Sequence, residues 1–419
     1  MLDSISDFAF TFTYAYPLFM SFLWMTGALV YFLRWEYPWG VRNRGDARPR
    51  LRARPMVSIL VPCHNEESVI AETIGQLNRQ SYPNFEIVAI NDGSSDRTGE
   101  TLDALAAQFE RLRVIHLDTN RGKAAALRMG TVASRAEYLV CIDADAMLDE
   151  HALHWFVWHF LSSPRVGAVT GNPRIRTRST LLGKLQVGEF SSIIGMIKRA
   201  QRIYGRVFTV SGVVVAFRKS AIQKVGYWGT DTVTDDIDIS WKLQLGLWDV
   251  RFETNALCWI LMPETLSGLW RQRLRWAQGG AEVFIKNFTS IWSWERRRFF
   301  LVFAEYVASV TWSYCMLSVM LLFALGLVMP LPESLRVETL FPGWNGMILA
   351  LTCMIQFMVS LAIDSRYDHG LGKYYYWMIW YPVAFWLVNV FTVAVAIPKA
   401  VSRLHGRQST WNSPDRGLR

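Results

Sequence analysis

One apolar stretch with two acids at its end decides the fold: Tyr138-Leu139-Val140-Cys141-Ile142-Asp143-Ala144-Asp145. The apolar run predicts a buried strand. On an extended strand, residues i and i+2 face the same side, so we expect Asp143 and Asp145 to point together beyond its carboxyl end. Ligands of open α/β sheets bind at that end. Two carboxylates there can hold a hard divalent cation, and a solvated acidic turn is the competing interpretation.

The same pattern recurs from Val57 onwards, where short apolar runs alternate with helical segments. The predicted strands are residues 57–62, 86–91 and 113–117, and the predicted helices are residues 67–80, 98–109 and 123–134. This alternation is typical of the α/β class with a doubly wound, mostly parallel sheet. Three strands end in polar residues, and such ends converge on one crevice. The sequence therefore predicts a site there.

Several function classes are disfavoured by missing motifs. No Gly-x-Gly-x-x-Gly follows the first strand and no Gly-Lys-Ser/Thr P-loop occurs, which argues against a dinucleotide cofactor. The five scattered cysteines include no Cys-x-x-Cys, so neither a disulfide framework nor a zinc site is expected. The net charge of +9 lies largely beside apolar runs, which suits a cytoplasmic membrane face better than a nucleic-acid polymer.

Four uncharged runs are long enough to cross a bilayer: residues 8–33, 307–332, 344–363 and 374–398. No basic region precedes the first run, so we interpret it as an anchor rather than a cleaved signal peptide. Arginines follow it, which places the N-terminus outside and the next domain in the cytoplasm. Residues 181–204 and 264–288 mix apolar and charged side chains and are predicted to be amphipathic helices at the membrane surface.

The number of spans conflicts with the charge of the tail. Four crossings would put the basic tail outside, against the positive-inside rule, so either one run does not fully cross or the tail is an exception. The predicted regions are an N-terminal transmembrane anchor (1–35), a basic juxtamembrane linker (36–55), a cytoplasmic α/β domain (56–262), amphipathic interfacial helices (263–300), three transmembrane helices (301–398) and a basic C-terminal tail (399–419).

Six short motifs occur in one order: Pro62-Cys63-His64-Asn65-Glu66, Asn91-Asp92-Gly93-Ser94, Gly122-Lys123-Ala124, Asp143-Ala144-Asp145, Thr234-Asp235-Asp236 and Gln272-Arg273-Leu274-Arg275-Trp276. Together they resemble the processive membrane family-2 glycosyltransferases, which include cellulose, chitin, hyaluronan and poly-N-acetylglucosamine synthases. Residues 171–180, 208–212 and 413–417 narrow the resemblance to the poly-N-acetylglucosamine branch. It implies a GT-A type domain, and it would also lead one to expect a second span near the N-terminus.

The resemblance implies a site for a UDP-sugar donor. The donor-binding residues that it implies are Pro62, Glu66, Asp92, Lys123, Asp143 and Arg275. Asp92 would accept a hydrogen bond from the uracil, because an ionised carboxylate is purely an acceptor. Asp143 and Asp145 would hold Mg²⁺ or Mn²⁺ across the diphosphate, where the ion offsets charge on the departing UDP.

The resemblance also implies a general base and an acceptor site. Asp236 is the expected base, since neighbouring acids (Asp231, Asp235 and Asp238) can raise its pKa toward a useful range. The acceptor-binding residues that it implies are Ser211, Gly212, Asp235, Gln272 and Trp276. Asp235 stands where the family usually has Glu. The competing interpretation is an acidic helix N-terminus capped by Thr234, and both can hold at once.

The function implied by the resemblance is inverting, processive transfer of N-acetylglucosamine from UDP-N-acetylglucosamine to a β-1,6-linked polymer. The polymer would be exported across a bacterial inner membrane for biofilm exopolysaccharide. Implied partners are the growing polysaccharide, the lipid membrane, a small two-span membrane subunit and cyclic di-GMP, which the basic linker or Arg174, Arg176 and Arg178 would contact. The alternatives are a chitin-, hyaluronan- or cellulose-type synthase, a non-processive lipid-carrier transferase, and a channel or scaffold with an inactive transferase domain.

Overall fold

The computed structural model describes residues 2–38, 48–339 and 343–403. Its centre is an eight-stranded sheet. The strands are β1 (Val57–Cys63), β2 (Phe85–Asp92), β3 (Leu112–Leu117), β4 (Tyr138–Ile142), β5 (Met147–Leu148), β6 (Val166–Ile175), β7 (Val214–Arg218) and β8 (Asp249–Ile260). Their order across the sheet is β3-β2-β1-β4-β7-β6-β8-β5. The first four strands are parallel, whereas β7 and β5 run against their neighbours.

Helices flank the sheet and continue beyond it. They are α1 (Leu2–Tyr31), α2 (Ile70–Asn78), α3 (Thr98–Ala106), α4 (Lys123–Ala133), α5 (Ala152–Ser162), α6 (Leu181–Glu189), α7 (Ile197–Tyr204), α8 (Lys219–Lys224), α9 (Asp235–Leu245), α10 (Leu266–Asn287), α11 (Phe300–Gly326), α12 (Gly343–Asp364) and α13 (Leu387–Arg403). Phe32–Glu36, Phe190–Met196 and Pro382–Trp386 are π-helical, and Phe288–Trp292, Trp294–Phe299, Glu333–Leu335 and Leu371–Trp380 are 3-10 helices.

Strand β1 shows why the sheet is doubly wound. All seven of its residues are buried, which is typical of a parallel strand covered on both faces. Ile59 belongs to the same apolar cluster as Ile74 of α2, on one face. Leu60 belongs to a separate cluster with Leu127 of α4, on the other face. The predicted α/β fold with a mostly parallel sheet is confirmed.

The predicted elements differ from the observed ones mainly at their ends. The helix predicted from residue 67 begins at Ile70, and the helix predicted to reach residue 109 ends at Ala106. Strand β4 ends at Ile142, so Asp143 and Asp145 lie in a turn rather than on one face of a strand. The backbone N–H of Ala146 closes that turn on the carbonyl of Asp143 at 3.1 Å.

The segment predicted to lie on the membrane surface, residues 181–204, is instead mostly buried within the protein. It forms α6, a π-helical stretch and α7, which pack between the sheet and the apolar helices. Glu189, Lys198 and Arg199 on it are all buried. The surface prediction was wrong because these charges have polar partners inside the protein, which a hydropathy pattern does not reveal.

Four helices are long and apolar enough to cross a membrane: Asp7–Glu36, Trp294–Gly326, Trp344–Asp364 and Ala384–Arg403. The first and third agree with the predicted runs. The second begins earlier and ends at Gly326, so residues 327–332 are not part of it. The fourth begins ten residues late, because residues 374–380 of the predicted run belong to the 3-10 helix Leu371–Trp380, which packs against α6 and α12.

The part of the chain from the end of α12 to the end of α13 (residues 364–403) starts and ends beside the α/β domain and its adjoining helix α10. Asp364, at the end of α12, pairs with Arg174 of β6 at 2.6 Å. Arg403, at the end of α13, lies 3.7 Å from Glu282 of α10. Between them, Trp386 contacts Trp312 on α11. This arrangement favours the alternative in which one run does not complete a crossing. The remaining tail (404–419) and part of the basic linker (39–47) lie outside the described residues.

Candidate active site

A cavity of about 610 Å³ begins beside the turn after β4 and continues between the apolar helices. At the domain end it brings together most of the predicted site residues, namely Glu66, Lys123, Asp143, Asp145, Ser211, Gly212, Asp235, Asp236, Gln272, Arg275 and Trp276. At the other end it is lined by Tyr16, Trp24, Tyr306, Trp312, Trp386 and Asn389. One continuous space therefore joins a carboxylate-rich site to an aromatic passage among the helices.

Two predicted donor residues, Pro62 and Asp92, do not line this cavity. Asp92 is completely buried. Its two carboxylate oxygens accept hydrogen bonds from the backbone N–H groups of Arg121 (2.9 Å) and Gly122 (2.8 Å). Asp92 thus anchors the turn that presents Lys123, and Gly122 permits that turn with a φ of +87°. Contact between Asp92 and a uracil stays a prediction.

Lys123 ties two strand ends together. Its Nζ donates to Oδ1 of Asp143 at 2.5 Å and to the carbonyl of Gly212 at 3.0 Å. Burial opposes its charge, but the carboxylates of Asp143 and Asp235 outweigh this effect and raise the pKa of Lys123. The lysine therefore remains a fixed positive charge in the cavity wall.

The turn with Asp143 and Asp145 is compatible with a divalent cation. Both residues line the cavity. Within residues 2–38, 48–339 and 343–403, no group of three or more His, Cys, Asp or Glu side chains is placed to hold a metal ion. Mg²⁺ in phosphate-handling sites is typically bound by one or two carboxylates together with substrate phosphates and water. The donor set fits an ion shared with a diphosphate substrate.

Asp236, at the first turn of α9, has the properties expected of a general base. It is half-buried, and its Oδ1 accepts a hydrogen bond from the backbone of Ile237 at 2.9 Å. Burial and the charge of Asp235 raise the pKa of Asp236 to about 6. Gly212 lies so close that a Cβ atom built on it would stand 3.1 Å from Oδ2 of Asp236. The absence of a side chain at this position keeps the carboxylate accessible.

The acidic cluster around Asp236 divides into two parts. Asp238 is fully buried and pairs with Lys242 at 2.7 Å and Lys286 at 3.1 Å. Asp231 also pairs with Lys286, at 2.8 Å. Asp235 and Asp236 remain in the cavity wall, so Asp235 is the acid that contributes to the raised pKa of Asp236.

Thr234 occupies the position before α9 but does not cap it. Its side chain makes no capping hydrogen bond, so that part of the prediction was wrong. Within the described part of the chain, Thr234 Oγ1 is buried without a hydrogen-bond partner. The start of α9 is instead fixed through the preceding residue, because the backbone N–H of Val233 donates to Glu282 of α10 at 2.9 Å.

Helix α10 brings Gln272, Arg275 and Trp276 to the cavity, since residues three and four positions apart share one helix face. Thr265 caps this helix by accepting a hydrogen bond from Gly268 at 3.1 Å. Arg273, for which the sequence analysis gave no role, supports the tryptophan. Its guanidinium lies 4.3 Å from the ring centroid of Trp276 and pairs with Glu189 at 2.6 Å.

Sequence reasoning missed Lys198 as a site residue. Its side chain lines the cavity and is buried. Nζ donates to Ser211 Oγ at 2.7 Å and lies 3.5 Å from Thr170 Oγ1. Burial lowers the pKa of Lys198 to about 7, although the carboxylate of Asp236 opposes this change. No signal in the sequence separates this lysine from the other charges of residues 181–204.

Glu305 was also missed, and here the sequence carries a signal. It is an acid within an otherwise apolar helix, a position that is typical of functional residues. It accepts hydrogen bonds from Trp24 (3.1 Å), Gln201 (3.0 Å) and Tyr204 (3.1 Å). Glu305 therefore links α1, α7 and α11 along the cavity wall.

The three arginines proposed to contact cyclic di-GMP are engaged within the chain. Arg174 is 1% exposed and pairs with Asp364, so burial removes it from that hypothesis. Arg178 pairs with Asp368 at 2.5 Å, and Arg176 pairs with Glu72 at 2.7 Å. For these two, contact with the nucleotide stays a prediction.

The model of a family described as "Glycosyltransferase like family 2" matches residues 54–279. A poly-beta-1,6-N-acetyl-D-glucosamine synthase of Staphylococcus epidermidis is 40% identical over 412 residues, covering 97% of this chain and 98% of that protein. A synthase of the same name from Staphylococcus aureus (strain COL) is 39% identical over 408 residues, with the same coverage. The mannosyltransferase PcManGT from Pyrobaculum calidifontis, solved in complex with GDP-Man and Mn²⁺, has a similar fold, with a TM-score of 0.57 and 21% identity. That similarity covers 88% of this chain and all of the solved chain.

Proposed function

This chain belongs to the glycosyltransferase family 2 and is a glycosyltransferase, and on that premise we propose that it transfers N-acetylglucosamine from UDP-N-acetylglucosamine to a growing β-1,6-linked poly-N-acetylglucosamine chain. The observation that carries the donor and the linkage is the identity of about 40% to synthases of that polymer over nearly the whole length of both chains. The cavity supports the same conclusion, because the proposed base, the proposed metal ligands and the cations proposed for the diphosphate all line it.

The reaction proposed is a single displacement. Asp236 takes the proton of the acceptor hydroxyl, and the hydroxyl oxygen attacks the anomeric carbon of the donor. The bond from that carbon to UDP breaks, and UDP leaves with the electron pair, so an α-linked donor gives a β-linked product. A carboxylate with a pKa near neutrality suits this role, since it is ionised at working pH and still basic enough to accept the proton.

The other cavity residues hold the donor and the acceptor. Lys123 and Arg275 would contact the diphosphate, as charge-assisted hydrogen bonds to phosphate are strong. Asp143 and Asp145 would hold Mg²⁺ or Mn²⁺, whose chemistry when bound is to offset negative charge on the departing UDP. Trp276 offers a flat apolar face to a sugar ring and is held in place by Arg273. Pro62, Glu66 and Asp92 remain the proposed residues of the nucleotide pocket.

Processive synthesis coupled to export is part of the proposal, and the shape of the cavity supports it. The space beyond Trp276 continues past Tyr306, Trp312 and Trp386, which lie among the membrane-length helices. Aromatic walls can pass a sugar chain along because each ring offers a stacking face without a fixed register. A polymer leaving the site would thus move directly into the membrane.

The proposed setting is a bacterial inner membrane with the α/β domain in the cytoplasm. Arg48, Arg50, Arg52 and Arg54 follow the first helix on the domain side, as the positive-inside rule requires. A small two-span membrane subunit and cyclic di-GMP are the proposed partners, and both come from the resemblance rather than from a contact in the structure.

The experiment that tests this function is UDP release by the purified membrane protein, together with its small partner and cyclic di-GMP. UDP-N-acetylglucosamine, UDP-glucose and UDP-glucuronate are offered separately with Mg²⁺ or Mn²⁺. We expect polymer from the first donor alone, cut by a β-1,6-hexosaminidase and resistant to chitinase. A product cut by chitinase would overturn the linkage, and activity with another donor would overturn the donor.

A further inference from the structure

Lys198 is a buried lysine without a carboxylate partner. Its side chain is 5% exposed, and in the part of the chain that the structure describes no carboxylate forms an ion pair with it. By contrast, the buried arginines among the described residues all pair with acids: Arg174 and Arg199 pair with Asp364, and Arg206 pairs with Asp249. Buried amines are normally paired or fully hydrogen-bonded, so spare donor capacity on a lysine that lines a cavity points to a ligand in that cavity.

The lysine is held at one place in the cavity wall. Ser211 Oγ accepts its hydrogen bond at 2.7 Å, and Thr170 Oγ1 lies 3.5 Å away. The backbone N–H of Ser211 is bound in turn to Thr170 Oγ1 at 2.8 Å. An ammonium group has three N–H donors and no acceptor. Two hydroxyls take up two of these donors, and the Phe252 ring lies 6.0 Å from Nζ, at the outer limit of a cation–π contact. Donor capacity therefore remains for an oxygen atom in the cavity.

The position of Lys198 places that oxygen next to the proposed base. Gly212, the residue after Ser211, lies against Asp236, since a Cβ atom built on it would stand 3.1 Å from Asp236 Oδ2. The negative charge of Asp236 also raises the pKa of Lys198, against the effect of burial. The donor diphosphate is proposed to lie elsewhere, beside Lys123 and Arg275. The acceptor sugar, whose hydroxyl must reach Asp236, is the neutral and oxygen-rich group that fits beside Lys198.

We propose that Lys198 is an acceptor-binding residue that donates a hydrogen bond to a hydroxyl or amide oxygen of the acceptor's terminal sugar, and that its positive charge selects an uncharged acceptor end over a protonated amino sugar. This inference rests on the proposed function, since that function supplies the acceptor. Two positive charges a few ångströms apart in a cavity of low dielectric repel strongly, whereas an N-acetylated sugar carries no charge.

The first experiment measures binding rather than turnover. A short β-1,6-linked N-acetylglucosamine oligosaccharide is titrated into the wild-type protein and into the variants Lys198→Met and Lys184→Met, by calorimetry with UDP present. Lys184 is a matched control, because it lies on the same segment but rests on Trp377 outside the cavity. Loss of a charge-assisted hydrogen bond predicts a Kd about 10- to 100-fold higher for Lys198→Met, with an unchanged Kd for UDP.

The second experiment tests the charge. An oligosaccharide that ends in glucosamine is compared with its N-acetylated counterpart at a pH below the pKa of Lys198, where both amines are protonated. The wild type is expected to prefer the N-acetylated end, and Lys198→Met is expected to lose most of that preference. If Lys198→Met does not fold, Lys198→Gln replaces it. This variant keeps a hydrogen-bond donor but removes the charge, so it should lose most of the preference for the N-acetylated end.

The outcomes separate this inference from the proposed function. An oligosaccharide Kd that is unchanged in Lys198→Met overturns the inference, and so does a parallel loss of UDP binding, which would indicate a structural role. Oligosaccharide binding that depends on Lys198, in a protein that does not release UDP from UDP-N-acetylglucosamine, would support the inference and overturn the proposed donor.

Discussion

Gly279 of α10 packs directly against Thr234, the residue before Asp235 and Asp236. A Cβ atom built on Gly279 would overlap the side chain of Thr234. At the next position, Gly280, the same atom would make only ordinary contacts, with Tyr306 at 3.4 Å and Phe208 at 3.8 Å. Because Gly279 has no side chain, α10, which carries Gln272, Arg275 and Trp276, can pack directly against the segment that carries the proposed base.

Gly279→Ala is therefore expected to move the base without unfolding the protein. An error of about 1 Å in the position of a catalytic group can cost roughly 100-fold in rate, so kcat for UDP release should fall by that order. The KM for the UDP-sugar should change less than kcat, because all of the proposed donor-binding residues except Arg275 lie on other elements. Steady-state kinetics check this, with Gly75→Ala as the control, since a Cβ atom added to this helical glycine outside the cavity would meet nothing within 4 Å. Equal activity of the two variants would contradict the proposed packing constraint.

The rate of UDP release is expected to fall as the pH is lowered through about 6. Burial and the charge of Asp235 raise the pKa of Asp236 to about this value. A general base must be deprotonated to act, so activity is present above this pKa and lost below it. The pH dependence of kcat/KM for UDP release measures this limb. Asp236→Asn should abolish turnover while the protein still binds UDP.

Asp235→Asn tests the electrostatic cause of that pKa. Removing the neighbouring negative charge lowers the pKa of Asp236, because the like charge disfavours ionisation. The acid limb should therefore move to lower pH in this variant. Asp231→Asn is the control, since Asp231 is paired with Lys286 and does not line the cavity. An acid limb at the wild-type position in Asp235→Asn would show that burial alone sets the pKa.

Chelation of divalent cations is expected to stop UDP release, and Mg²⁺ or Mn²⁺ should restore it. Asp145→Asn should raise the metal concentration needed for half-maximal rate, because it removes one of two proposed carboxylate ligands. Asp143→Asn should be more harmful, as it also removes the partner of Lys123. Metal titrations of the three proteins compare these effects, and turnover without any divalent cation would contradict the assignment.

The α/β fold and most of the site could be predicted from sequence because their determinants are local. Apolar runs of strand length between helical segments fix the sheet, and the polar ends of β1, β2 and β4 converge through its topology. Asp92 shows the limit of this reasoning. A carboxylate after a strand has the same local signature whether or not it binds the backbone, so the hydrogen bonds of Asp92 to residues 121–122 could not be predicted.

The burial of residues 181–204 could not be predicted, because the partners of its charges come from distant parts of the chain. Arg199 pairs with Glu36 and Asp364, and Lys198 contacts Thr170. A helix with charged and apolar faces has the same periodicity at a membrane surface and inside a protein. Similarly, the apolar length of residues 374–398 gives no information on hydrogen-bond pattern, so the 3-10 helix there was not predicted.

The buried ion pairs of Asp364 give the last prediction. Its carboxylate is fully buried and contacts Arg174 at 2.6 Å and Arg199 at 2.9 Å, which joins the end of α12 to β6 and α7. Asp364→Asn leaves two buried guanidinium groups undercompensated, and breaking a buried pair in this way typically costs about 3–5 kcal/mol. Thermal unfolding in detergent should therefore show a clear loss of stability. The matched control is Glu72→Gln, which breaks the half-exposed pair with Arg176 and should cost about 1 kcal/mol or less. Equal melting temperatures for the two variants would contradict a structural role for the Asp364 pairs in joining the membrane helices to the sheet.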